Sequence, residues 1–207
     1  MKNKKLILII ILVLVFFSIL LIYYNTYNKN NLIEDSNKND IILEKAKFSK
    51  EIEQLLNIID EKLVFFDYKL NDKIKEIETT IWQCKDNNWT KSTVDRHMVN
   101  KTQAKIGIKI TNDKIGIIVG FNENGYVISE TEGLDLNFDN LKVVSESSEN
   151  LYDNKVEPNK DFVLYQKYGF FESKNNSVTF TSDFTKQNCD RGLVVTVKFL
   201  DDNINRR

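Results

Sequence analysis

Residues Leu6 to Tyr24 form an unbroken apolar run with Ser18 as its one polar interruption and no charge. A helix of ~20 such residues matches the hydrocarbon thickness of a bilayer. Lys2, Lys4 and Lys5 precede the run. The positive-inside tendency then assigns residues 1–5 to a cytoplasmic tail, residues 6–24 to a signal-anchor and the remainder to the far side of the membrane. A cleaved signal peptide has a shorter apolar core and ends in a small-x-small pair. This run ends instead in Leu20, Leu21, Ile22, Tyr23 and Tyr24, and no second segment of comparable apolarity offers to bury it. Tyr23, Tyr24 and Tyr27 suit an interfacial aromatic belt. Residues 25–40 read as a polar, Asn-rich spacer.

The next constraint is an absence. All seven glycines and the only proline, Pro158, lie after residue 106. Gly and Pro punctuate turns, so the two halves are expected to be built differently. Before the break, apolar residues recur at Phe48, Ile52, Leu56, Ile59, Leu63, Phe66, Leu70, Ile74, Ile77, Ile81 and Cys84. Steps of three and four predict a near-heptad amphipathic helix, a stalk over residues 41–84. The stripe widens between Leu55 and Phe66, beyond the seam a two-stranded coiled coil needs. Leu55, Leu56, Ile59, Leu63, Phe66 and Leu70 are therefore the expected interaction face, for a partner helix, a second copy or the chain's own C-terminal part.

After residue 103 the period changes to two. Ile106, Ile108 and Ile110 alternate, as do Ile115, Ile117, Val119 and Phe121, with Asn112-Asp113 and Asn124-Gly125 placed as hairpin turns. Leu134, Leu136 and Phe138, then Phe162 and Leu164, Val178 and Phe180, and Leu193 to Phe199 continue the pattern. Residues 85–207 are thus expected to form an antiparallel β-rich head of about seven strands, interrupted by a polar loop from Ser145 to Lys160. The fold class expected is α+β: an N-terminal transmembrane helix, a long coiled-coil-like helix, then the head.

Cys84 and Cys189 are the only cysteines. Outside the cytosol they read as one disulfide. Closing a loop of ~100 residues is worth up to ~4.7 kcal/mol in the chain-entropy model. With one histidine, His97, multi-histidine metal sites are excluded, and two cysteines exclude a four-cysteine zinc site. The net charge is −1, and the head carries 17 Lys and Arg against 18 acidic residues, so no nucleic-acid partner is expected. Asp135, Asn137, Asp139 and Glu146 have calcium-loop spacing, but Asn140 stands where the turn wants Gly; the run reads better as a strand. Glu130 and Glu132 form a carboxylate pair of a kind that arises by chance among 30 acidic residues. Asn88, Asn100 and Asn175 begin glycosylation sequons. No catalytic, cofactor-binding or metal-binding residue is assigned.

The expected function follows from the layout. It is a single-pass membrane-anchored structural or interaction protein, presenting a β-rich head on a helical stalk in a cell-envelope or virion-envelope assembly. Its expected partners are the membrane and other envelope proteins, with a homo-oligomer possible and no enzymatic activity. In outline the layout looks like bacterial inner-membrane assembly components of type IV pili or the divisome. Trp82-x-Cys84 at the stalk's end also looks like subunits of poxvirus-type entry machinery, implying a viral envelope entry-complex component. The third expectation is a membrane-tethered ligand-binding or hydrolytic domain.

Overall fold

The computed structural model describes residues 41–58, 62–99, 101–111, 114–122, 125–135, 137–148, 155–172 and 178–201. The expected tail, anchor and spacer, residues 1–40, lie outside the described residues. The described chain is eleven strands with a single α-helix. The strands are β1 (Ile41–Lys45), β2 (Lys62–Lys69), β3 (Ile74–Lys85), β4 (Asn88–Met98), β5 (Gln103–Ile110) and β6 (Lys114–Asn122). They continue with β7 (Gly125–Glu132), β8 (Val143–Ser147), β9 (Lys155–Val156), β10 (Asp161–Phe170) and β11 (Arg191–Asp201). Helix α1 covers Lys50–Ile58, and a 3-10 turn covers Phe184–Lys186.

The strands form two antiparallel sheets. One has the order β7-β6-β5-β2-β1-β9 and the other β4-β3-β11-β10-β8. Their inner faces share one core, in which Phe66, Ile106, Ile108, Ile115 and Ile117 of the first sheet meet Ile77, Ile81, Val195, Val197 and Phe199 of the second. The outer face of the second sheet is covered too. Cys84, Trp82, Trp89, Tyr168 and Val194 pack there under Phe180, Phe184 and Cys189.

The long helix and coiled-coil stalk are therefore corrected. The only α-helix among the described residues has nine residues, and none is long and apolar enough to cross a membrane. The single-pass, coiled-coil architecture is not what the described residues form. Residues 41–84 instead hold β1, α1, β2 and β3. The cause is visible in β3. Ile77, Thr79 and Ile81 face the inner core while Glu78, Thr80, Trp82 and Cys84 face the outer layer, and all but Trp82 are buried. A strand covered on both faces loses its period of two. The buried residues at 74, 77, 81 and 84 then fall by coincidence at helical spacing. The missing glycines misled equally. Asp86 and Asn87, at φ 51° and 65°, make the two-residue turn between β3 and β4, a left-handed conformation usually given to Gly. Elsewhere Leu55 and Leu56 sit on α1 and Leu63, Phe66 and Leu70 on or just after β2.

One buried charge is held in this framework. Glu78 accepts a 2.7 Å bond from Arg96 Nε and lies 3.3 Å from Lys198 Nζ. Burial works to raise its pKa, but the Arg96 bond and the Lys198 charge outweigh it, and the carboxyl lies below its ordinary 4.5. A depressed folded-state pKa contributes stability that is complete above the unfolded value and lost as pH falls through the folded one. Glu78→Gln should thus cost about 1–3 kcal/mol near neutral pH, at the low end for a pair whose Arg96 is half exposed. Urea midpoints should show that difference shrinking as pH falls below 4.5.

Gly192 supplies a second check. A Cβ there would lie 2.7 Å from the Trp89 ring, 2.8 Å from Cys84 Cβ and 2.9 Å from Cys189 Sγ. Overpacking of this kind costs about 1–3 kcal/mol. Calorimetry of Gly192→Ala should show Tm lowered by several degrees.

Candidate functional site

The two flanks of the sandwich differ. On one, β8 of the second sheet is tied to β2 and β1 of the first. Lys62 pairs with Glu146, Tyr165 Oη donates to the same carboxylate at 2.9 Å, and Lys45 Nζ lies 3.3 Å from Ser148 Oγ. Burial and then the Glu146 charge push the Tyr165 phenol up, so it stays a hydrogen-bond donor.

The opposite flank, between edge strands β4 and β7, is open. The cross-sheet polar contact recorded there is His97 Nε2 to Ser129 Oγ, at the outer limit of 3.5 Å. Apolar side chains reach water on both edges: Val94 and Met98 on β4, and Tyr126, Val127 and Ile128 on β7. Met98 is 66 % exposed and Tyr126 57 %. Three consecutive exposed apolar residues on an edge strand leave both faces of that strand uncovered, and such edges template pairing with another chain.

Beside them the flank opens into a cavity of about 240 Å³. It lies where β4 crosses to β5 and where β6 turns into β7. Tyr68, Ile77 and Val119 line it from the core side, and His97, Met98, Lys101, Tyr126 and Val127 from the rim. Gly120 and Gly125 complete the wall at φ 73° and 124°, and a Cβ on either would meet nothing within 4 Å. The space is thus kept clear by residues whose backbone itself favours glycine.

Tyr68 is the unusual member. It is 3 % exposed, packs its ring 6.2 Å from that of Phe199, and its hydroxyl has no hydrogen-bond partner among the described residues. Buried hydroxyls are normally paired. The phenol is not sealed in the core, for Thr79 Oγ1 is the one fully buried partnerless side-chain oxygen or nitrogen among the described residues. Burial alone pushes the Tyr68 pKa up to about 12, which keeps it a neutral donor. Lys101, exposed at the rim, makes no ion pair among the described residues. No acidic residue is among those lining the cavity.

The residues expected from sequence fall elsewhere. Of the interaction face, Leu55 is exposed on α1, Leu56 and Leu63 are half-buried, Phe66 and Leu70 are core, and Ile59 lies outside the described residues. The calcium-loop candidates are dispersed: Asp135 pairs with Arg191 at 3.2 Å, Asn137 Oδ1 accepts from the Asp139 N–H at 2.9 Å, and Glu146 serves the closed flank. No group of three or more His, Cys, Asp or Glu able to hold a metal occurs among the described residues. Glu130 pairs with Lys114 at 3.0 Å. Asn88 is exposed at the start of β4, while Asn100 and Asn175 lie outside the described residues.

Cys84 and Cys189 do meet. Both are buried thiols, and Cys84 Sγ donates to the Cys189 carbonyl at 3.4 Å. The Asp86-Asn87 turn holds them there: Asn87 N–H donates to the Cys189 carbonyl and Asn87 Oδ1 accepts from the Cys189 N–H, at 3.0 and 2.9 Å. The bond to Cys84, with burial, pushes the Cys189 thiol up, so neither geometry nor ionisation suits it as a nucleophile.

Comparison with protein-family models, with curated proteins and with solved structures found no match to this chain. The flank was missed in the sequence because its components come from five separate strands and turns. One signal was present: Tyr126-Val127-Ile128 after Asn124-Gly125, three apolar residues that cannot all face one core.

Refolding in glutathione disulfide checks the sulfur pair. Thiol–disulfide exchange joins the two sulfurs, the S–S bond of glutathione disulfide breaks, and the two thiol protons and two electrons pass to the two glutathiones formed. Peptide mapping should recover residues 84 and 189 in one linked fragment. The unfolding midpoint should rise, by no more than the ~4.7 kcal/mol of a ~100-residue loop. Recovery of both thiols free would show that the pair does not close.

Proposed function

We propose that the sandwich is a non-enzymatic interaction module whose open flank receives an extended segment of a partner protein as an added strand on β7. The observation that supports this is the run of exposed apolar residues on β7 beside a cavity, against an opposite flank closed by the Lys62–Glu146 ion pair and the hydrogen bonds beside it. An unpaired edge supplies main-chain donors and acceptors, and alternate side chains supply selectivity. The charge order along β7 favours a foreign strand over a second copy. Tyr126 and Ile128 share the outward face with Glu130 and Glu132, as their alternation along the strand requires. Antiparallel self-pairing about Ile128 would set Glu130, whose cationic neighbour is Lys114 of its own sheet at 3.0 Å, against Tyr126, with no basic residue supplied by the second copy. A strand carrying basic residues opposite Glu130 and Glu132 and apolar ones opposite Ile128 and Tyr126 would match throughout.

We place the module on the extracytoplasmic side. Support comes from the uncharged run at residues 6–24 with the lysines before it, and from two cysteines positioned to join where the compartment is oxidising. Expectations of a cell-envelope or virion-envelope role share that placement.

Selection of peptides from a random displayed library on the full chain, with sedimentation of the free protein, tests the proposal. Selected peptides should alternate apolar and basic residues, and Ile128→Glu should weaken them at least ~10-fold, the effect of about 1.4 kcal/mol. Equal binding by Ile128→Glu would overturn the edge site. A dimer that Ile128→Glu dissociates would make the occupant a second copy.

A further inference from the structure

We infer that the cavity at the Gly125 end of β7 receives the free C-terminus of the added segment, together with an aromatic or large aliphatic last side chain. The inference rests on the reading of β7 as a strand-accepting edge and names what that edge selects. Strand β7 runs from Gly125 at the cavity to Glu132 away from it. Every pairing in both sheets is antiparallel. A segment added antiparallel therefore travels toward the cavity and arrives there with its C-terminal end. A parallel segment would bring an amino terminus to Lys101, where like charges repel.

The cavity suits a carboxylate on an apolar body. Its walls are Ile77, Val119, Met98 and Val127, and its polar groups are the Tyr68 hydroxyl, the Lys101 ammonium and the His97 imidazole. All three can donate a hydrogen bond and none is acidic. The Tyr68 hydroxyl has no hydrogen-bond partner among the described residues and is not fully buried, so it reaches the open space as a donor to which a ligand oxygen can bind. The size agrees as well. A cavity of ~150 Å³ holds benzene, so about 240 Å³ accommodates one ring or branched chain with a carboxylate. The same chemistry is presented by a free aryl or alkyl acid, and the test separates the two sources.

Fluorescence polarisation of the full chain reads binding of a labelled seven-residue peptide that alternates threonine with two lysines, one valine and a C-terminal phenylalanine. It is compared with the same peptide amidated at the C-terminus, and phenylacetate is titrated as the free acid. Amidation is expected to weaken binding ~10-fold, in keeping with a charge-assisted bond. Lys101→Gln should abolish most of the difference between acid and amide, a coupling that a general loss of fold would not produce. Tyr68→Phe should weaken the acid ~5-fold, the loss of a net hydrogen bond, with its melting curve confirming the fold. Equal affinity for acid and amide, with both lost in Ile128→Glu, would overturn the inference while leaving the edge intact. Binding of phenylacetate that depends on Lys101, with no binding of either peptide, would overturn the polypeptide source. Failure of every probe would remove both the inference and the edge it rests on.

Discussion

The pairing of β3 with β11 is the spine on which the other elements depend. The register runs from Arg191 opposite Lys85 to Asp201 opposite Ile74, and both strands are buried on both faces for most of that length. Inward residues of this pair, among them Ile77, Ile81, Val195, Val197 and Phe199, supply the second sheet's central share of the main core, and outward ones make the floor of the aromatic layer. Trp82 Nε1 donates to Thr196 Oγ1 at 3.2 Å and Trp89 Nε1 to the Gln187 carbonyl at 3.2 Å. The indole rings thereby bury their bodies and still satisfy their one donor. Because Gly192 faces Cys84 in this register, the hairpin turn, the two cysteines and the segment before β11 can close to van der Waals contact. A side chain at 192 would prise them apart.

Closing two sheets over a single core leaves two flanks to settle, and this chain settles them differently. The β8 side spends polar groups on it: Glu146 is held by Lys62 and by the buried Tyr165, whose phenol must donate because its ionisation is suppressed. Bonds of that kind across a sandwich fix the sheets' separation at that side. The β4–β7 side carries the long His97–Ser129 contact at 3.5 Å and no ion pair between those strands among the described residues, and the cavity opens beside Gly120 and Gly125. One flank acts as the hinge point of the packing and the other as its mouth. The cavity is thus a consequence of where the cross-sheet bonds lie.

The legibility of this fold in its sequence follows burial. Where strands cover one face, as in β5 and β6, alternation is plain, and the expected runs at 106–110 and 115–121 are paired antiparallel strands, while the turn expected at Asn112-Asp113 lies outside the described residues. Of the turn expected at Asn124-Gly125, Gly125 opens β7 at φ 124° and Asn124 lies outside the described residues. Where burial is two-sided, the pattern disappears: β3 presents apolar residues at helical spacing, and the stalk expected there is a strand. In β2 the alternation of Val64, Phe66 and Tyr68 was masked by Leu63 and Phe65, the latter lying over Gly107, whose Cβ would come within 2.6 Å of its ring. Val178 and Phe180 alternate without a strand because they cap the aromatic layer. Counting alone singled out Cys84 and Cys189, which lie close together as free buried thiols. Tyr68 could not be singled out, since the sequence does not reveal that a core tyrosine lacks a partner.

The exposed edges raise a question of their own, because an apolar edge strand invites indiscriminate pairing. Edge β4 carries protection in its own side chains: Lys91 stacks 4.8 Å from the Trp82 ring centre, and Arg96 is drawn onto Glu78, so charge and bulk line that edge. Edge β7 carries protection along half its length only, where Glu130 and Glu132 follow Ile128. Acidic residues on that half disfavour an acidic strand and admit a basic one. The unprotected half ends at the cavity. A protein selected only to avoid aggregation would guard Tyr126 and Ile128 before Glu132. The reversed placement, with charge far from the cavity and apolar surface beside it, is the arrangement expected of an edge that discriminates among strands and does not merely tolerate solvent.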